Sequence, residues 1–372
     1  MPLDLPRFLP HPLIRGGHLQ TILGSTLADH RATPGFQNRV PLADGDTIVL
    51  HDDGASTNGS QESPAPHAPI ALLLHGLGGC HESGYMVRCS AKLRARGIHV
   101  YRMNLRGCGA GLALARYPVH AGRSEDAAAA LSFLAQSCPG SPVHLVGFSL
   151  GGNIALKFAG EAGSQPPKNL ASVLAVAPPI DLAACSRHLR TGLGRFYDAI
   201  FLKGLFKHVK QRSALCADAL VRPLSPRPRS VFEFDDLFTA PLSGFAGAND
   251  YYERASSKPL LAQINIPTLI IAAASDPIVP ISSFENAAIS ANTQLVITPC
   301  GGHLGYLGRT SSDPDRRWLD WRVVEWTTAQ RVAAPSPIGG ESQRRAMNAG
   351  TAIVVEWAGR VVHEGRPDLI LG

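Results

Sequence analysis

Val143 to Asn153 read VHLVGFSLGGN, and the reading of this stretch decides the fold. The apolar run of Val143, Leu145 and Val146 is strand-like. It breaks into Gly147-Phe148-Ser149-Leu150-Gly151, and the helix-compatible run Ile154-Ala155-Leu156-Lys157-Phe158 follows at once. The order is strand, sharp turn, helix. A serine at such a turn sits on strained backbone, so its flanks favour residues without a Cβ and its hydroxyl stands clear above the sheet edge. The first amides of the helix then face any oxyanion that forms beside it. Gly-x-Ser-x-Gly by itself is a weak signal, because glycine and serine fill ordinary loops. Between a β-type run and a helical one it points to a nucleophile.

Upstream, Ile70-Ala71-Leu72-Leu73-Leu74 is a continuous apolar run of strand length, as expected of a strand covered on both faces. It ends in His75-Gly76-Leu77-Gly78-Gly79. Glycines at the carboxyl end of a buried strand let the backbone turn its amides inward, at the place where open α/β sheets bind ligands. Alone, HGLGG also reads as a flexible loop; beside the serine turn it is a candidate second oxyanion donor. A helical stretch from about Ser83 to Arg96 stops at Gly97, and Ile98 to Met103 alternates as a short strand before Asn104-Leu105-Arg106-Gly107-Cys108-Gly109. Arg106 reads better as an arginine holding this turn through carbonyl hydrogen bonds than as a site for an anionic substrate. Ser124 to Gln136 reads as an alanine-rich helix, and Ala171 to Val176 as a strand closing at Pro178-Pro179. Alternation of strand and helix over residues 70 to 176 predicts a mostly parallel central sheet with helices on both faces.

The rest of the chain frames this core, which is expected over residues 41–181 and 261–332. Residues 1–40 read as an N-terminal arm, Pro/Gly-rich and with little periodicity, in which Arg15-Gly16-Gly17-His18-Leu19-Gln20-Thr21 is too polar for a core segment. Thr47 to His51 is a strand after the Asp44-Gly45 turn, and 53–68 a polar loop. Over 182–260 the alternation fails, which predicts a lid inserted into the core. Within it, at about 100° per residue, Phe201, Leu205, Val209, Leu202 and Phe206 share one face and Lys203, Lys207 and Lys210 cluster opposite. This basic amphipathic helix fits a lid element with its lysines in water, and leaves open a peripheral membrane contact for a lipid substrate. Strands resume at Thr268 to Ala273, ending in Ser275-Asp276-Pro277, and at Gln294 to Thr298, ending in Cys300-Gly301-Gly302-His303. Arg316 to Thr328 suits a closing helix. In 333–372 a polar linker (333–346) precedes an alternating stretch, Ala352 to Val362, that suits a terminal hairpin.

Composition excludes several classes. The 372 residues are 45% hydrophobic with mean hydropathy +0.02, enough to bury a sizeable core. A net charge of +6 arises from only 17% charged residues, which is not the dense basic surface of a nucleic-acid binder. Seven scattered cysteines without C-x-x-C pairs argue against a disulfide framework or structural zinc. The first residues lack the apolar core of a signal peptide, and no run approaches the roughly 18 apolar residues of a membrane span. A cytoplasmic protein is expected; oligomeric state is not legible.

Three polar residues stand at the carboxyl ends of probable strands, in the order Ser149, Asp276, His303. Parallel strands bring such ends to one edge of the sheet. A serine hydroxyl needs a base to remove its proton, histidine can do so near neutrality, and an aspartate on the far imidazole nitrogen fixes the tautomer. Each residue alone has a plain alternative, such as a helix-starting aspartate before Pro277 or a loop histidine. Order and strand-end placement together favour a triad. His18, His75, His81 and His120 compete for the base, but none follows a late strand. Asp235, Asp236 and Asp250 lie in the supposed lid.

HGLGG, NLRGCG, GFSLGGN, FDDLFTAPLSGF with Asp250-Tyr251-Tyr252 after it, SDPIVP, GGHLGY and the GGHLQT arm together resemble the YheT-like branch of the α/β-hydrolases, over about residues 15 to 328. The resemblance implies an α/β-hydrolase fold and a serine esterase or lipase acting on carboxylic esters of short or medium acyl chains or acylglycerols. It assigns Ser149 as nucleophile, His303 as base, Asp276 as its orienting acid, and the amides of Leu77 and Leu150 as the oxyanion hole. Leu105 departs from the bulkier aromatic expected before Arg-Gly-Cys, which bears on the acyl pocket. The chemistry requires no metal or organic cofactor. An alcohol O-acyltransferase or a phospholipase would share the triad, and a non-catalytic ligand-binding protein is the alternative of a different class. The expected partner is a small ester or lipid substrate.

Overall fold

The computed structural model describes residues 3–26, 35–54, 65, 67–220, 225–310 and 312–330, and the backbone of 353–357 and 360–363. In chain order the chain first forms α1 (Gly17–Thr26), β1 (Phe36–Pro41), β2 (Thr47–Asp52), β3 (Ile70–Leu74), α2 (Gly84–Arg94) and β4 (His99–Asn104). It continues through α3 (Ser124–Ser137), β5 (Val143–Phe148), α4 (Leu150–Ala162) and β6 (Leu170–Val176). An insertion then carries α5 (Leu182–Leu189), α6 (Gly194–Leu215), α7 (Val231–Phe234), a π-helical turn Asp235–Thr239, α8 (Ala240–Leu242) and α9 (Ala248–Ala255). The chain returns through β7 (Thr268–Ala273), β8 (Thr293–Thr298), α10 (Trp318–Ala329), β9 (Ile353–Trp357) and β10 (Arg360–His363).

One sheet runs in the order β1-β2-β4-β3-β5-β6-β7-β8-β9-β10. From β4 to β9 neighbouring strands are parallel, while β1, β2 and β10 pair antiparallel at the edges. The last pair lies in the segment that alternation marked as a hairpin; the linker 333–346 lies outside the described residues. Successive residues of a strand face opposite sides, and β3 shows the result. Ile70, Leu72 and Leu74 join the core under α3 and α4, whereas Ala71 and Leu73 join the core under α2 and α10. An unbroken apolar run is therefore what this strand requires.

The first forty residues, read as an arm on the main domain, carry regular elements that their low periodicity did not predict. They contain a helix, α1, and an edge strand, β1, whose burial pattern is mostly exposed and so leaves no apolar signature. Arg106 also differs. It is buried and binds carboxylates, with Nε and Nη2 donating to Asp126 at 3.1 and 2.6 Å and Nη1 donating to Asp46 at 2.8 Å and to Asp44. Its partners come from distant segments, so local pattern could not reveal them. On α6, Leu202 is buried and packs with Phe234 and Phe238, joined by Leu205, Phe206 and Val209, while Lys203, Lys207 and Lys210 are exposed. No helix among the described residues is long and apolar enough to cross a membrane.

Candidate active site

Ser149 follows β5 at φ 52° and ψ −119°, backbone that a side-chain-bearing residue keeps only when its surroundings hold it there. Its N–H donates to the Val176 carbonyl at 2.8 Å, and its own carbonyl accepts from Gly152 and Asn153 at 2.8 and 3.1 Å. The flanking glycines are needed because α4 doubles back against the sheet. A Cβ at Gly147 would lie 2.2 Å from the Gly151 carbonyl oxygen, and one at Gly151 would lie 2.6 Å from the carbonyl oxygens of Leu74 and His75.

The ends of β5, β7 and β8 bring three side chains into line. His303 Nε2 lies 2.8 Å from Ser149 Oγ, and His303 Nδ1 lies 2.9 Å from Asp276 Oδ2. The other carboxylate oxygen of Asp276 accepts the N–H groups of Ile278 and Val279 at 2.8 and 3.0 Å, so the carboxylate is locked with one oxygen toward the imidazole. Such a chain can pass the serine proton to histidine while the aspartate holds the imidazole orientation. Leu77 and Leu150 line one cavity with Ser149. Leu150 opens α4, and the HGLGG turn passes close over the serine, since a Cβ at Gly76 would lie 3.1 Å from Ser149 Cβ.

The competing histidines take other partners, although His120 lines the same cavity as Ser149. His75 is buried, its Nδ1–H donating to the Gly76 carbonyl (2.8 Å) and its Nε2 accepting from the Leu105 N–H (3.1 Å). Burial pushes its pKa down to about 4, so this neutral ring ties the HGLGG turn to the Asn104–Gly109 turn. His81 stacks on His51 with ring centroids 3.4 Å apart; burial, then the neighbouring His81 and Arg102 charges, bring His51 down to about 3. His120 Nδ1 accepts from the Gly122 N–H at 3.1 Å, and His18 Nδ1 meets the Tyr197 hydroxyl at 2.9 Å. In the insertion, Asp236 caps α9 through the Ala248 N–H (2.9 Å) and Asp250 pairs with Arg254. Among the described residues no three His, Cys, Asp or Glu side chains are grouped to hold a metal ion.

Two contributions escaped sequence reasoning. The first is α1, which clamps the loops that carry the acid and the base. Thr21 Oγ1 accepts the His303 N–H at 2.8 Å and donates to the Gly17 carbonyl at 2.7 Å. Gln20 bonds both backbone groups of Leu307, at 2.6 and 3.1 Å. The contact is so close that a Cβ at Gly17 would lie 1.6 Å from the carbonyl oxygen of Ser275, the neighbour of Asp276. The polarity of GGHLQT was the available signal, since polar side chains buried among backbone groups serve positioning. The second is a cavity of about 110 Å³ beside Ser149, walled by residues of the insertion that include Leu182, Leu189, Tyr252 and Asp235.

The fold and this site define a class: the chain belongs to the α/β-hydrolase fold family, whose pattern it matches over residues 69–310. Within that class it falls in the YheT-like branch. It is 32% identical over 324 residues to the esterase-named YheT of Escherichia coli, covering 86% of this chain and 93% of that one. It is 29% identical to a phospholipase of Mus musculus over 271 residues, covering 72% of this chain and 65% of the other. A solved esterase from Pyrococcus furiosus shares the fold at 16% identity and a TM-score of 0.51, covering 88% of this chain and 99% of its own.

Proposed function

We propose that this protein hydrolyses carboxylic esters through an acyl-enzyme on Ser149. Ser149 Oγ attacks the ester carbonyl while His303 takes its proton, and Asp276 steadies the resulting imidazolium. The carbonyl oxygen, now an anion, is held by the Leu77 and Leu150 amides; one such donor is worth about 3 kcal/mol of barrier. His303 then protonates the leaving alcohol, activates water against the acyl-serine and returns the proton to Ser149. The observation that carries this reading is the continuous chain Ser149 Oγ, His303 Nε2 and Nδ1, Asp276 Oδ2, with both links under 3 Å. The names of the E. coli and mouse relatives agree with ester cleavage. Labelling with a fluorophosphonate probe is the test. Wild type labels and Ser149→Ala does not; equal labelling of both, or none in the wild type, overturns the reading.

A second reading, that the protein works at a lipid surface, is supported by α6. Leu193, Phe196 and Ile200, spaced to share a helix face, are exposed large apolar side chains, and Lys203 and Lys207 continue that line. The face supporting this contact is not the apolar one of the sequence pattern, because Leu202, Leu205, Phe206 and Val209 pack inward.

A further inference from the structure

The cavity beside Ser149 is apolar along most of its wall, with Leu182, Leu189, Ile278 and Val279, but one side carries a carboxyl group. That group, Asp235, begins the π-helical turn Asp235–Thr239, an irregularity that occurs frequently at functional sites. The Tyr252 hydroxyl donates to its Oδ2 at 2.7 Å, and the Thr239 side chain also bonds it. Among the described residues no cation pairs with it. A buried carboxylate is costly unless its acceptor sites are used, and it has about four of them. Burial pushes its pKa up to about 6, and the Tyr252 and Thr239 hydroxyls use only two of its acceptor sites. On the same wall the buried Ser186 hydroxyl stands beside that of Tyr252 and bonds it. An apolar lipid tail would leave the remaining acceptor sites of Asp235 unused.

We propose that this cavity holds a short branch of the substrate bearing a hydroxyl group, which donates to Asp235. An apolar cavity of about 150 Å³ holds benzene, so one of about 110 Å³ suits four to six heavy atoms. The hydroxyl belongs either to the acyl chain or to the alcohol. This inference rests on Ser149 being the nucleophile beside which the branch is held.

The test compares kcat/KM of the full chain on two pairs of esters, by titration of the acid released. The acyl arm is p-nitrophenyl 3-hydroxybutyrate against p-nitrophenyl butyrate; the alcohol arm is glycerol 1-monobutyrate against propyl butyrate. In one arm the hydroxylated ester is preferred about tenfold or more, as a hydrogen bond to a charged group implies, and the arm identifies the source. Asp235→Asn, which keeps the shape and removes the charge, cuts that preference about tenfold. Because each ratio compares two esters on one variant, general losses of activity cancel, and fluorophosphonate labelling of Ser149 reports an assembled site. Labelled wild type with no preference in either arm overturns this inference alone, as does a preference that survives Asp235→Asn. Absence of both labelling and hydrolysis in the wild type overturns the serine-hydrolase reading with it.

Discussion

Thr21 illustrates how a single hydroxyl far from the nucleophile in sequence can bear on rate. It accepts the backbone N–H of His303, so its loss leaves binding contacts in place while freeing the base to drift. Misplacement on the ångström scale is enough to cost catalysis. Thr21→Val should lower kcat about tenfold with KM changed less than about twofold, and Thr21→Ser, which retains the hydroxyl, should restore most of it. Steady-state kinetics on p-nitrophenyl butyrate, with thermal melts alongside, check this. An unchanged kcat in the valine variant refutes a positioning role, and a loss that serine does not rescue assigns Thr21 to packing. That Ser149, Asp276 and His303 come together was legible because they follow strand ends, which local pattern locates. Thr21 and Gln20 were not, because their partners are backbone groups near residues 303 and 307, and no local periodicity encodes a contact across that separation.

At the level of elements, α6 was legible for the same reason that α1 was not. A long helix with one packed face writes its period into the sequence, and Phe201, Leu202, Leu205, Phe206 and Val209 all turn toward the protein. What the period could not show is that Leu193, Phe196 and Ile200 remain exposed, because hydrophobicity marks what is able to pack and not what finds a partner. Gly204 lies inside this continuous helix, and a Cβ there would meet no atom within 4 Å. Glycine in a helix interior costs up to about 1 kcal/mol relative to alanine, and no packing at Gly204 requires it. Gly204→Ala should therefore raise the stability by about 0.5–1 kcal/mol, read as a higher urea midpoint at unchanged slope. A lower midpoint would show that the helix bends at this position to seat its two halves on different partners.

For the whole molecule, two consequences follow from where charge is kept out and where apolar surface is left bare. Burial lowers the pKa of His51 to about 3 and of His75 to about 4, and lowers those of His81, His120 and His208 as well. Above about pH 6.5 both folded and unfolded chains carry these rings neutral, so they add no pH dependence. Below it the unfolded chain takes up protons that the folded chain refuses, and each such ring costs about 1.4 kcal/mol of stability per pH unit until its folded pKa is reached. Asp235, held up at about 6, and Asp126, Asp198 and Glu325, also raised by burial, oppose this by taking up protons in the folded chain first. The melting temperature should thus be level from pH 8 to 7 and fall steeply from about pH 6 toward 4.5; a level curve to pH 4.5 contradicts the buried neutral rings. The bare surface lies on the outer line of α6, and the lipid contact proposed for it has two separable parts. Lysines near an anionic surface contribute about 1 kcal/mol each, and burying Phe196 and Ile200 adds about 1.5–3 kcal/mol per side chain. In co-sedimentation with vesicles containing phosphatidylglycerol, reversing Lys203, Lys207 and Lys210 to glutamate should abolish most binding. Phe196→Ser with Ile200→Ser should weaken it at high salt as well as low, because burial of apolar surface is not screened. Negligible sedimentation of the wild type on such vesicles would leave these side chains as solvent-facing and remove the lipid-surface reading, while the ester chemistry at Ser149 would stand.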